Sequence, residues 1–361
     1  MGAPIICEVL RAGLPASLHR GHVAVADAEG RLLFRYGDPL FRTHARSVLK
    51  PLQLIAVIES GAADAFSFSD EELAVMAGSH SGSVRHTQAV LGVLAKIGLD
   101  ESALECGVHH PVDQEEGKLV HEGKRALSAL HNNCSGKHAG MLAVCRQMGW
   151  DHKGYVSPKH PVQEYVLDRV GDVMDVGAFK GMTLAVDGCG VPTPYVELRS
   201  LAVGFARLAT AADGAGAGGG CGAAAFVPGA SRAAASVASS THSVSLARIR
   251  RAMLREPFMV AGRDRLCTAI MTVLGGDVVS KGGGEAVYCA ASRARRIGVC
   301  VKVEDGTPRA TGPTVIEAIR QLGVAGERQV QELAEFSRPA VKNCRGEIVG
   351  EIRACLELEA A

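Results

Sequence analysis

The sequence predicts a two-layer α/β protein whose mainly antiparallel sheet is assembled from both ends of the chain. Three observations carry this. Short apolar runs bounded by turn residues lie near both termini. The segment between them has helical spacing with serine starts and glycine stops. Hydrophobic residues fill 47% of 361 positions, which supplies a large core.

The elements follow in order. Residues 22–27 and 31–36 are apolar runs separated by a turn in which Gly30 can take positive φ, so they predict a hairpin. Residues 47–60 (SVLKPLQLIAVIES) have the spacing of a buried helix that Gly61 ends, with Pro51 in its first turn. Ser69 with Glu72 predicts a capped helix start. Residues 86–97 and 138–148 predict helices stopped by Gly98 and Gly149. Residues 182–186 read as a buried strand. Residues 285–290 and 297–303 predict strands, 313–322 a helix, and 341–343 with 347–358 a closing hairpin around Arg345-Gly346. The expected organisation is one domain over 1–361. Its sheet comes from 1–60 and 270–361, its helical part is 61–200, and 211–223 is a flexible Gly-rich loop.

Charge is balanced, with 39 Lys+Arg against 38 Asp+Glu, which gives no footprint for nucleic acid or an anionic membrane. No apolar run reaches the length of a membrane span, and the first residues lack the pattern of a secretory signal. Eleven cysteines without an export signal predict free thiols in a reducing cytoplasm. Most such thiols are small buried hydrophobes; the alternatives are metal binding or nucleophilic catalysis.

Four motifs can carry chemistry. Ser47 and Lys50 lie one helical turn apart, and a lysine of lowered pKa can take a serine proton. The pattern alone is common. Downstream, Lys281-Gly282-Gly283-Gly284 beside a strand gives the order of elements used by serine β-lactamases and penicillin-binding proteins, but with Gly282 where those proteins carry Ser or Thr. The second motif, 131–140 (HNNCSGKHAG), fails as a phosphate loop because positions 131 and 138 are histidines. Cys134 with Lys137 or His138, plus distant Cys189, can form a metal corner; buried structural thiols are the plain alternative. The third, Asp187-Gly188-Cys189-Gly190, places an acid and a thiol after a strand, or is simply a turn. The fourth, Gly78-Ser79-His80-Ser81-Gly82, offers a second hydroxyl, or caps a helix.

Together these blocks resemble the class 3 L-asparaginases of Rhizobium etli type, the asparaginase II family. The blocks are Arg46-Ser47-Val48-Leu49-Lys50-Pro51, 78–82, Asn133-Cys134-Ser135-Gly136-Lys137-His138, 187–192 and Lys281-Gly282-Gly283-Gly284-Glu285. The resemblance implies a serine β-lactamase- and glutaminase-like fold and hydrolysis of L-asparagine to L-aspartate and ammonia. It implies two serine–lysine pairs, Ser47 with Lys50 and Ser79 with Lys281. It implies a Zn²⁺ site at Cys134, Lys137 and Cys189 with water completing the shell. Arg46, His80, His138, Asp187 and Cys267 map to the substrate pocket, and a cytoplasmic homodimer is the expected assembly. The 211–223 stretch is longer than the connection expected there.

Two rivals remain at this point. A penicillin-recognising or other serine amidase would use the same scaffold. A non-catalytic zinc or thiol-redox protein would use the cysteines, although no C-x-x-C occurs in the chain.

Overall fold

In this computed structural model, which describes residues 2–212 and 241–361, nine strands form one sheet. They are β1 (Ile5–Arg11), β2 (Leu14–Asp27), β3 (Leu32–Tyr36), β4 (Val278–Gly282), β5 (Val287–Ser292), β6 (Ile297–Val303), β7 (Ala340–Lys342), β8 (Ile348–Ala354) and β9 (Glu359–Ala360). Their order is β7-β8-β1-β2-β6-β5-β4, with β3 on β2 and β9 on β3, and each pairing is antiparallel. The chain's two ends therefore interleave in one mixed α/β fold with a helical middle, as the sequence predicts.

The described chain divides into two compact units. The first comprises Met1–Val48, Tyr195–Thr210 and Asp264–Ala361; the second comprises Leu49–Pro194 and Ala211–Arg263. In the first unit, every residue of β5 and β6 is buried. The Leu198–Thr210 helix packs on β2, β5 and β6, and Thr311–Gln321 packs on β6 and β8. Gly298 lets the first of these helices approach, because a Cβ there would stand 2.0 Å from Ala202 O. Burying each Val of these strands contributes about 1.5–3 kcal/mol. Lys281, Cys289 and Cys300 lie directly opposite one another across β4, β5 and β6, all buried.

The second unit is mostly helical. Ser69 Oγ accepts from Glu72 N, and the Glu72 carboxylate accepts from Ser69 N, so the predicted capping box forms and starts the Asp70–Ala77 helix. The Val84–Lys96 and Ser135–Met148 helices end at Gly98 and Gly149, which take φ of 69° and 68°. Gly136 sets the helix spacing: a Cβ there would lie 2.4 Å from Val75 O.

Three expectations need correction. The single helix over 47–60 is a 3₁₀ turn, Arg46–Leu49, followed by short helices Lys50–Gln53 and Ile55–Glu59. Leu54 stands between them, three residues after Pro51, which has no N–H to donate. The strand at 182–186 shrinks to Leu184–Val186 and is not buried, since Val186 is 68% exposed. The strand at 285–290 begins at Val287 because Glu285 and Ala286 take left-handed backbone angles. Of the Gly-rich loop expected at 211–223, residues 213–223 lie outside the described residues. No described helix is long and apolar enough to cross a membrane.

Candidate active site

Four segments of the helical unit converge. Lys50 opens the Lys50–Gln53 helix and is 2% exposed. Its Nζ donates to Ser79 Oγ at 2.9 Å and to Asn133 O at 3.0 Å. Ser79 follows the end of the Asp70–Ala77 helix, where its N–H donates to Val260 O at 2.8 Å. Gly78 makes that approach possible, since a Cβ would stand 2.7 Å from Met259 O. Burial pulls the Lys50 pKa down; the thiols of Cys134 and Cys189 partly oppose this, and Lys137 adds to it.

Lys137 projects from the first turn of the Ser135–Met148 helix, and its Nζ lies 3.0 Å from Cys189 Sγ. Cys189 comes from the Asp187–Gly190 turn, closed by Gly190 N donating to Asp187 O, with Gly190 at φ 88°. Cys134 Sγ lies 3.1 Å from Asn133 Oδ1. Cys189 beside it, against the effect of burial and with the help of Lys50 and Lys137, pulls the Cys134 thiol well below its ordinary range. Burial works against the charge on Lys137, but the two thiols outweigh it and raise its pKa. Cys134, Lys137 and Cys189 are 5%, 6% and 4% exposed, so the charges face one another rather than water.

The histidines of these motifs turn away from that cluster. His138 Nδ1 is 2.6 Å from the Tyr155 hydroxyl, which also accepts from Glu105 N at 3.0 Å. His138 Nε2 is buried and has no hydrogen-bond partner among the described residues. Burial, then Lys137 and Lys50, drives its pKa well down. His80 accepts from Gly82 N at Nδ1 and donates from Nε2 to Ser135 Oγ, which passes its own proton to Leu130 O. Nε2 thus holds the start of the Lys137 helix, while Nδ1 closes the His80–Gly82 turn. Asp187 is half-buried at its turn and accepts from Gly188 N.

The other predicted site residues lie in the sheet unit. Ser47 is half-buried in the Arg46–Leu49 turn. Arg46 Nη1 donates to Glu285 Oε1 at 2.8 Å. Lys281 is 1% exposed on β4, and its Nζ donates to Gly282 O at 2.7 Å. Gly282 N donates to Cys267 Sγ at 3.1 Å, which holds Cys267 against the same strand. The sequence reading missed Tyr155, the Asn133 carbonyl and the role of Glu285. Asn133 and Glu285 stood in recognised blocks, Tyr155 in none; all three act through contacts that local spacing does not encode.

The family described as L-asparaginase II matches residues 7–354. The chain belongs to the L-asparaginase II family. No curated protein sequence shows significant similarity to it. Among solved structures, one of Mglu is similar over 90% of this chain and 72% of its own, at 14% identity and a TM-score of 0.35. Mglu in its L-glutamate binding form is similar over 89% of this chain and 63% of its own, at 15% identity and a TM-score of 0.35. A β-lactamase from Mycobacterium bovis is similar over 82% of this chain and 94% of its own, at 13% identity and a TM-score of 0.30.

L-asparaginase II membership supports hydrolysis of the side-chain amide of L-asparagine. Such chemistry needs a nucleophile, a base and a donor to the leaving nitrogen. The Lys50–Ser79 contact offers a buried amine bonded to a hydroxyl. For a metal, no group of three or more His, Cys, Asp or Glu is gathered among the described residues. The buried donors gathered here are the sulfurs of Cys134 and Cys189 and the Lys137 amine. Thiolates and a neutral amine are donors that a zinc ion accepts, so these three groups could hold one if Lys137 gives up its proton.

Proposed function

We propose that this L-asparaginase II family chain cleaves L-asparagine through a serine acyl-enzyme, with Lys50 as the base. The observation that carries the reading is the Lys50 Nζ–Ser79 Oγ hydrogen bond in a setting that disfavours the ammonium. Neutral Lys50 takes the proton of Ser47, three residues before it. Ser47 Oγ attacks the amide carbon. The leaving nitrogen gains a proton through Ser79 and Lys281 and departs as ammonia. Water then cleaves the ester to give aspartate. Arg46 holds the substrate α-carboxylate, with His80, His138, Asp187 and Cys267 around the substrate.

Cys134, Lys137 and Cys189 would hold Zn²⁺, whose chemistry there is to fix and polarise a substrate oxygen or water. The serine supplies the nucleophile, so a zinc hydroxide is not required. A cytoplasmic homodimer belongs to the same proposal; sedimentation of the purified chain tests the dimer.

The deciding experiment is ammonia release from asparagine and from glutamine by the wild type, Ser47→Ala and Ser79→Ala, with folding checked by circular dichroism. Ser47→Ala loses turnover while staying folded, and hydroxylamine traps aspartyl hydroxamate only when Ser47 is present. Normal turnover by folded Ser47→Ala would sink the assignment.

A further inference from the structure

Backbone strain gathers around one side chain of the sheet unit. Arg46, Glu285 and Ala286 take φ of 51°, 56° and 53°, the left-handed region that residues with side chains avoid. Two of the three, Arg46 and Glu285, are partners in an ion pair, Nη1 to Oε1 at 2.8 Å. Such strain persists only where surroundings over-determine it.

The surroundings here are specific. Lys302, 6% exposed on β6, donates from Nζ to Glu285 O at 2.6 Å and to Val303 O at 2.7 Å. A buried lysine therefore anchors the carbonyl of the strained residue. Gly283 N donates to Val287 O at 2.8 Å, which closes the turn beneath it. Gly284 provides clearance: a Cβ there would come within 3.1 Å of Arg46 Cζ and Nη2 and 3.3 Å of Nη1. The guanidinium thus lies against the Gly284 backbone, with Glu285 on one of its nitrogens. A guanidinium carries its N–H donors in one plane, so a carboxylate held on Nη1 fixes the direction of that plane.

We infer that Glu285 is a positioning residue: held by Lys302 and cleared by Gly284, it aims the Arg46 guanidinium that receives the substrate α-carboxylate. This rests on the reading of Arg46 given under Proposed function. An exposed ion pair contributes little to stability on its own, and the Glu285 side chain is 66% exposed. Orientation is then what the strained turn supplies. The device acts on substrate affinity and leaves the chemical step alone.

The test measures KM and kcat for asparagine in the full-length protein and four variants: Arg46→Met, Glu285→Ala, Glu285→Gln and Gly284→Val. Glu285→Ala and Gly284→Val raise KM about fivefold with kcat within about twofold, the pattern of lost uniform binding. Glu285→Gln keeps the acceptor and restores KM to within about twofold of wild type. A mere counter-charge would do the opposite: both Glu285 variants would lower KM, because a negative group beside the substrate carboxylate is gone. That result overturns the inference. So does an unchanged KM in Glu285→Ala when Arg46→Met raises it. If Arg46→Met itself leaves KM unchanged, the carboxylate reading of Arg46 fails and takes the inference with it. Should Gly284→Val not fold, the two Glu285 variants decide alone.

Discussion

Lys50 Nζ stands between Ser79 Oγ at 2.9 Å and the Asn133 carbonyl at 3.0 Å. The carbonyl can only accept, so it keeps one amine proton pointed away from the hydroxyl. The other contact can then reverse, with the neutral amine accepting from a serine. Lys50→Arg keeps a cation but cannot lose a proton, so kcat falls by about 10² or more. In the wild type, kcat/KM rises with pH as Lys50 deprotonates. Burial places that rise below the ordinary lysine value of 10.5. A pH–rate profile with no rising limb below 10.5 would contradict the role.

Tyr155 decides which nitrogen of His138 carries the proton. The hydroxyl accepts from Glu105 N, so its own proton goes to His138 Nδ1 and leaves Nε2 as the donor. The other tautomer would strand both the Tyr155 proton and the Nε2 lone pair. Tyr155→Phe strands the Glu105 N–H and frees the ring. It costs about 1–3 kcal/mol in denaturant unfolding. Nitrogen-15 NMR of His138 shows Nε2–H in wild type and a mixture in the variant.

His242 ties three helices of the second unit. Its Nδ1 donates to Glu59 Oε1, and its Nε2 faces Asp172 Oδ2 at 3.6 Å; Arg169 also donates to Glu59. Burial lowers its pKa, but the carboxylates of Asp172 and Glu59 outweigh burial, and the net shift is upward. The folded state therefore binds the proton more tightly than the unfolded one. That stabilisation is full below about 6.5 and fades as pH rises through the raised folded value. His242→Gln lowers the thermal midpoint more at pH 6 than at pH 9, with about 2 kcal/mol lost at the acidic end. Equal losses at both pH values would show that the protonated ring contributes nothing.

Zinc content separates the metal proposal from the catalytic one. Cys189→Ala and Lys137→Met each remove one of three donors, and bound zinc drops from about one per chain to below a tenth by plasma mass spectrometry. Chelation raises the number of fast-reacting thiols in the wild type by two, since Cys134 and Cys189 would be released. Unchanged metal content in both variants removes the site.

Local signals in the sequence were read well where one residue acts on its neighbours. The Ser69–Glu72 box, the stops at Gly98 and Gly149 and the turn at Gly30 each depend on contacts within a few positions. Strand β1 and the first half of β2 escaped notice. Their turn uses Ala12 and Gly13 at φ 48° and 78°, and Ala12 is not a turn-forming residue type. The helix over 47–60 broke because a 3.6-residue spacing of apolar side chains does not reveal a backbone interrupted near a proline. At the site, Cys134, Lys137 and Cys189 were named together. Spacing could not choose between Lys137 and His138, because the partner that draws His138 aside is Tyr155, 17 positions further on. Glu285 was visible in its block, but its use depends on Lys302, whose apolar strand gives no hint of a buried ammonium.

The buried pair Cys289 and Cys300 gives the protein a clock. Both sit buried on neighbouring interior strands of the sheet, whereas Cys344 and Cys355 are exposed. A maleimide added to the native chain marks these two, the exposed ones among the described thiols, at once. The sheet pair reacts only in the instants when β5 and β6 part, so the rate at which the peptides carrying Cys289 and Cys300 take up the label, followed by mass spectrometry, counts openings of the sheet itself.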